Sequence, residues 1–155
     1  MSSFLHVYYQ NVNRLRTKTT RVRQKISSSN HDIYGFTETN LNDGVFSQEI
    51  FDNRFVVIRR DRCKANSSKK DGGGCLVAIK KSANYSIIHR PDWQQDSHED
   101  IWITLKPSSG RCIHILCVYI PPYLTAKCFE SYLDIITDKI STLAGDDILL
   151  MGDFN

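Results

Sequence analysis

The sequence has no long apolar run. Nowhere among its 155 residues does an uninterrupted hydrophobic stretch approach the ~20 residues that a membrane-spanning helix needs, so no membrane partner is expected. No secretory leader is expected either. The opening "MSSFLHVYYQN" has no basic segment ahead of an apolar one, so the chain is not expected to be secreted. Cysteine lacks a pattern: Cys63, Cys75, Cys112, Cys117 and Cys128 are odd in number and include no C-x-x-C pair. That argues against a disulfide framework or a zinc site. It fits small buried hydrophobes in a reducing compartment, nuclear or cytoplasmic. No internal repeat occurs, and low complexity is confined to "NSSKKDGGG" (66–74), read as a polar loop.

Acidic residues are missing where basic ones are densest. Residues 14–25 carry Arg14, Arg16, Lys18, Arg21, Arg23 and Lys25 with no acid, and residues 59–70 carry Arg59, Arg60, Arg62, Lys64, Lys69 and Lys70 against Asp61 alone. The net charge of +3 hides this asymmetry, because residues 1–90 balance to +9 and residues 91–155 to −6. Two basic clusters of this kind suit a polyanion, and equally suit two solvated faces. The rest of the composition, 41% hydrophobic and 24% charged, is that of an ordinary globular domain.

Periodicity sets out the elements. "FLHVYYQN" (4–11) predicts a strand, 14–29 a helix with Leu15, Thr19, Val22 and Ile26 on one face, and "IYGFTET" (33–39) a second strand, a βαβ-like opening. Strands follow at 55–60, 75–81, 85–90, 101–106 and 113–120, joined mostly by short turns that favour antiparallel pairing. Residues 125–144 predict a helix with a Phe129, Leu133, Ile136, Ile140 and Leu143 stripe, Thr125 as N-cap and Gly145 as stop, before a buried strand at 147–152. The pattern is a mixed α/β domain.

Polar residues stand at the ends of four of these strands: Asn11, Glu38, Tyr119, and the pair Asp153 and Asn155 in the closing "GDFN". Carboxylates at strand ends that face one cleft suit a hard divalent cation, which takes oxygen ligands and few protein carboxylates. Each residue alone also reads as a turn former or cap.

"QNVNRL", "FTET", a "GGG" opening a strand, "VYIPP" and "GDFN" together resemble the endonuclease/exonuclease/phosphatase superfamily, in the order found there. The wording of "RRDRCKANSSKKDGGGCLVAI" and "EDIWITLKPSSGRCIHILCVYIPP" is similar to the endonuclease domain of jockey-like non-LTR retrotransposons. The resemblance covers essentially the whole chain. It implies a four-layer α-β-β-α sandwich of the deoxyribonuclease I-like type, truncated at its C-terminal side, with residues 1–155 as one incomplete domain. It implies Mg²⁺, or Mn²⁺ in its place, held chiefly by Glu38 with Asn11 beside metal and phosphate. Tyr119 would donate to the scissile phosphate, and Asp153 would orient or deprotonate the attacking water, helped by Asn155. Arg14, Arg59, Arg60, Arg62, Lys69 and Lys70 would face nucleic acid. The implied activity is nicking of duplex DNA, with the reverse transcriptase of a parent element as partner and no small-molecule cofactor. The other readings are a non-catalytic nucleic-acid-binding relic and a phosphomonoesterase of the same superfamily.

Two departures stand out. The family often has glycine where this chain has Arg14. Members also continue past "GDFN" to a Ser-Asp-His-like motif, whereas His6, His31, His89, His98 and His114 all precede it and match nothing in that motif. They are read as surface or strand residues, and the chain is expected to be a fragment or a degenerate copy.

Overall fold

The computed structural model describes residues 4–64, 67, 69 and 71–155. Its regular elements are β1 (Val7–Asn11), α1 (Thr19–Ser27), β2 (Ile33–Thr37), β3 (Phe55–Arg60), β4 (Cys75–Lys80), β5 (Tyr85–His89), β6 (Glu99–Pro107), β7 (Ile113–Tyr119), α2 (Ala126–Ser141) and β8 (Asp147–Asp153), with short 3₁₀ turns between some of them. They form two four-stranded sheets, ordered β1-β2-β4-β3 and β5-β6-β7-β8. β1 and β2 run parallel across the α1 crossover, and so do β7 and β8 across α2; the remaining pairs are antiparallel.

Alternation along the strands builds the layers. On β2 and β4, Ile33, Val77 and Ile79 point inward, where they meet Ile101, Ile103, Leu105, Ile115 and Met151 of the other sheet. Their neighbours Tyr34, Phe36, Leu76 and Ala78 point outward, onto Ile26 of α1 and onto Ile50, Phe51 and Phe55. Trp102, Leu116 and Val118 form the outer face of the second sheet, covered by Tyr132 and Ile136 of α2. This period-2 alternation places helix, sheet, sheet and helix in four layers. Each fully buried aliphatic side chain contributes about 1.5–3 kcal/mol.

The α2 stripe differs slightly from the sequence reading. Tyr132, rather than Leu133, is the side chain buried beneath the helix, because the register turns the aromatic ring toward Asp100, to which its hydroxyl donates at 3.1 Å. Thr125 caps the helix as expected, accepting from the Cys128 N–H at 3.3 Å, but the helix closes at Thr142, ahead of Gly145. Of the cysteines, Cys75 and Cys117 are buried, while Cys63 and Cys128 are exposed. The small-hydrophobe reading therefore holds for the inward-facing strand positions and not for the loop and the helix surface. Among the described residues no helix is long and apolar enough to cross a membrane.

Candidate active site

β1, β2, β7 and β8 all end at the same edge of the sandwich, and there the inward-facing positions turn polar. Asn11 and Tyr9 share the inner face of β1, two residues apart. Tyr119 and Asp153 are register partners on β7 and β8. The Asn11 Nδ2 donates to Asp153 Oδ2 at 2.6 Å, bridging the two sheets. Asp153 Oδ1 accepts the Asn155 N–H at 3.2 Å, and Asn155 Nδ2 donates to the Ile120 carbonyl at 3.0 Å. Phe154, between them, packs into the outer apolar layer under α2. That explains the alternation of "GDFN": the ring anchors outward, leaving the acid and the amide at the cleft. Gly152 is required by close approach, since a Cβ there would lie 2.2 Å from the Val118 carbonyl oxygen.

Glu38 follows β2 directly and adopts a left-handed backbone, φ 53°. Asn13 (39°), Arg14 (67°) and Asn40 (48°) do the same, so four of the five non-glycine residues at positive φ in the described chain surround this edge. Each costs on the order of 1–3 kcal/mol and persists only where its surroundings enforce it. Here the enforcement is a mesh of backbone bonds: Arg14 N–H to Glu38 carbonyl (2.8 Å), Val12 N–H to Thr37 carbonyl (3.0 Å) and Asn40 N–H to Gly73 carbonyl (2.8 Å). Arg14 thus occupies a conformation glycine prefers, which accounts for a glycine at this place and leaves the arginine itself without a backbone reason.

The Tyr119 hydroxyl hydrogen-bonds Glu38 and titrates well above a free phenol, because burial and then the Glu38 charge disfavour the phenolate. It therefore stays a donor. Tyr9 is pushed up to about 12, again chiefly by burial, and its hydroxyl pairs with Thr37 Oγ1 at 2.9 Å. Thr39 Oγ1, next to Glu38, is buried with no hydrogen-bond partner. Among the described residues no three His, Cys, Asp or Glu side chains gather to hold a metal. The oxygens at the cleft are the Glu38 and Asp153 carboxylates and the Asn11 amide oxygen, with no thiol or imidazole among them. This hard donor set suits Mg²⁺, which keeps several of its waters, and not zinc.

The basic residues divide. Arg14 is exposed at the rim. Lys69 lies with its ammonium 5.0 Å from the centre of the Tyr123 ring, and Lys70 lies outside the described residues. Arg59, Arg60 and Arg62 do not form the open track expected of them. Arg59 is bound to Asp61 and donates to the Val45 carbonyl at 2.6 Å. Arg60 pairs with the fully buried Asp100 at 3.7 Å and donates to the Gln95 carbonyl at 2.5 Å. Arg62 forks onto Glu99 at 2.8 and 2.9 Å. Their side chains are only 16%, 15% and 5% exposed, because each reaches an acid or carbonyl that the fold brings from elsewhere. Glu99 was not singled out in the sequence, nor were Tyr9 and Thr39. The inner-face register of "VYYQN" could have pointed to Tyr9, whereas nothing local marks Glu99.

A sandwich of this layering is the deoxyribonuclease I-like fold. The Endonuclease/Exonuclease/phosphatase family matches residues 9–155, and the chain belongs to that family. Among solved structures it is similar to the endonuclease domain of TRAS1, a telomere-specific non-LTR retrotransposon, at 14% identity and TM-score 0.67, covering 97% of this chain and 58% of that one. It is similar to AP endonuclease LMAP from Leishmania major at 13% identity and TM-score 0.76, covering 96% and 54%. It is also similar to ANGEL2, a 2',3'-cyclic phosphatase, at 15% identity and TM-score 0.70, covering 97% and 52%. The chain thus spans just over half the length of these structures. No curated protein sequence matches it.

Proposed function

We propose that this chain carries the metal-binding and water-orienting residues of a divalent-metal-dependent phosphodiesterase that nicks duplex DNA, as in the endonuclease of a non-LTR retrotransposon. The observation that carries the reading is the Asn11–Asp153 bond of 2.6 Å. It ties strand ends of the two sheets into one polar cluster, beside the Glu38–Tyr119 pair.

In this reading Glu38 holds Mg²⁺ or Mn²⁺, and the metal, when bound, supplies Lewis-acid stabilisation of charge on the phosphate oxygens. Asn11 uses its Nδ2 to fix Asp153, while its Oδ1 accepts from the Asn13 N–H at 3.1 Å. Its first task is therefore to aim the carboxylate, with any contact to metal or phosphate made through the oxygen. Asp153, acceptor-only when ionised, orients a water or takes its proton. Tyr119, kept protonated, donates to a phosphate oxygen as charge builds there. Asn155 braces the Asp153 turn. Arg14 and Lys69, at the rim, supply positive charge for the DNA backbone, and the charge of Lys70 is assigned to the same track. If the chain forms part of a longer polypeptide, a reverse transcriptase is the partner this reading implies.

Nicking of supercoiled plasmid with Mg²⁺ tests the proposal, using this chain joined to the C-terminal segment of a related domain. Asp153→Ala and Tyr119→Phe should each lower the rate ~10²–10³-fold, the effect of removing one preorganised group. Nicking that persists at full rate in both variants would overturn it.

A further inference from the structure

One charged pair is shut inside the sandwich beside this cluster. Arg62 and Glu99 are 5% and 2% exposed. Arg62 donates Nε and Nη2 to the two Glu99 oxygens at 2.8 and 2.9 Å, and Nη1 to the Asp71 carbonyl at 2.6 Å. The Gly74 N–H donates to the same carboxylate at 3.2 Å. A guanidinium forked in this way has its plane fixed. Its central carbon lies 5.8 Å from the centre of the Tyr119 ring and 5.9 Å from that of Tyr123, a cation–π distance in both cases.

The glycine run makes room for the fork. A Cβ on Gly73 would fall 2.3 Å from Arg62 Nη2 and 2.5 Å from Glu99 Oε1, and its φ of +60° is one that side-chain-bearing residues rarely adopt. "GGG" is thus more than a turn opening β4, because its middle residue is the gap through which Arg62 reaches Glu99.

An arginine that serves as a phosphate contact keeps its N–H groups toward solvent, and Arg62 directs its fork into the protein. Stability alone does not explain the pair either, since a buried ion pair is often no more stabilising than well-packed apolar residues of the same volume. What the guanidinium does face is the two rings, Tyr119 and Tyr123, and of these Tyr119 is the one whose hydroxyl hydrogen-bonds Glu38 at the cleft. We propose that Arg62 is a positioning residue for Tyr119: clamped by Glu99, it holds the phenol ring in the orientation that presents its hydroxyl to the cleft. The inference rests on the phosphodiesterase reading for its consequence, but the clamp itself is a statement about ring geometry. The fixed positive charge behind the phenol also polarises its O–H toward donation.

The experiment replaces Tyr119 with 3-fluorotyrosine in the 155-residue chain and records ¹⁹F NMR spectra. One fluorine makes the two edges of the ring inequivalent, so a ring locked in one orientation gives one resonance. The parent chain should show one. Arg62→Lys, which keeps the charge and loses the fork, and Gly73→Ala, which blocks it, should each give a second or exchange-broadened resonance. The double variant Arg62→Met with Glu99→Leu leaves no buried charge unpaired and keeps a cooperative melt, and it should release the ring as well. A single unchanged resonance in all three overturns the proposal. In the nicking assay Arg62→Lys should cost roughly 10²-fold through misplacement, and nothing further once Tyr119 is Phe; multiplicative losses would also overturn it. If the ring is released and yet Tyr119→Phe nicks normally, the clamp stands and the phosphodiesterase reading falls.

Discussion

Residues 14–25 and residues 59–62 look alike in the sequence, each dense in arginine, yet the fold treats them oppositely. The first cluster lies on the exposed face of α1 and the turn before it. No residue of this cluster meets an acid among the described residues: Lys18 donates to the Val12 and Asn13 carbonyls, Arg23 to the Gln48 carbonyl and Lys25 to the Tyr8 hydroxyl, while Arg14 and Arg16 are exposed. The second belongs to β3 and the loop leaving it, where Arg59, Arg60 and Arg62 are held by Asp61, Asp100 and Glu99. Charge density therefore does not locate a polyanion surface. What decides is whether the fold delivers carboxylates from a distant segment, and Glu99 and Asp100 come from β6, nearly forty residues downstream of the arginines they meet.

The largest expected effect that separates the clusters is on stability. Arg62→Ala strands Glu99 in the interior, and removing one partner of a buried pair costs ~3–5 kcal/mol. Arg16→Ala on the exposed turn should stay within about 0.5 kcal/mol. Urea denaturation of both variants checks this, and equal losses would erase the distinction.

The next effect is in pH. Burial beneath α2 pushes the Asp100 carboxyl up to about 6, against the opposing pull of Arg60 and of the Tyr132 hydroxyl. The folded state thus binds a proton that the unfolded chain has released above the ordinary carboxylate range. Stability should therefore fall as pH rises from about 4 to 6, by on the order of 2–3 kcal/mol for a shift of this size. Asp100→Asn should flatten that slope in thermal melts taken across the window, and an unaltered slope would place its origin elsewhere.

The smallest effect sharpens the exposed side of the comparison. Arg14→Gly relieves a left-handed residue at φ 67° and should stabilise the chain by about 1 kcal/mol. It should also flatten the salt dependence of duplex DNA binding by about one unit, the signature of one lost phosphate contact. The Arg62→Met, Glu99→Leu pair should leave that slope unchanged.

Much of the fold was legible because the strand runs are apolar on their inner positions, the α1 and α2 crossovers are long enough to carry the chain back for parallel pairing, and each apolar face has one place to go. That Asn11, Glu38, Tyr119, Asp153 and Asn155 lie at one edge of the sandwich was legible from their places at strand ends, because parallel neighbours end on the same side; that they form one functional site is the proposal. The left-handed backbone at Asn13, Arg14, Glu38 and Asn40 was not legible, since it is imposed by hydrogen bonds between distant loops. The burial of Arg60 and Arg62 was hidden for the same reason, since their partners Asp100 and Glu99 come from β6, whereas the acid that holds Arg59, Asp61, lies two residues away in the sequence.

The central claim is that four strand ends make one metal and phosphate site. Mn²⁺ titration followed by paramagnetic broadening of assigned amide signals tests it most directly. The amides of Asn11, Thr39, Ile120 and Phe154 should broaden together at substoichiometric Mn²⁺, and Glu38→Gln should abolish the broadening of all four. Broadening centred on other carboxylates, or unaffected by Glu38→Gln, would contradict the account.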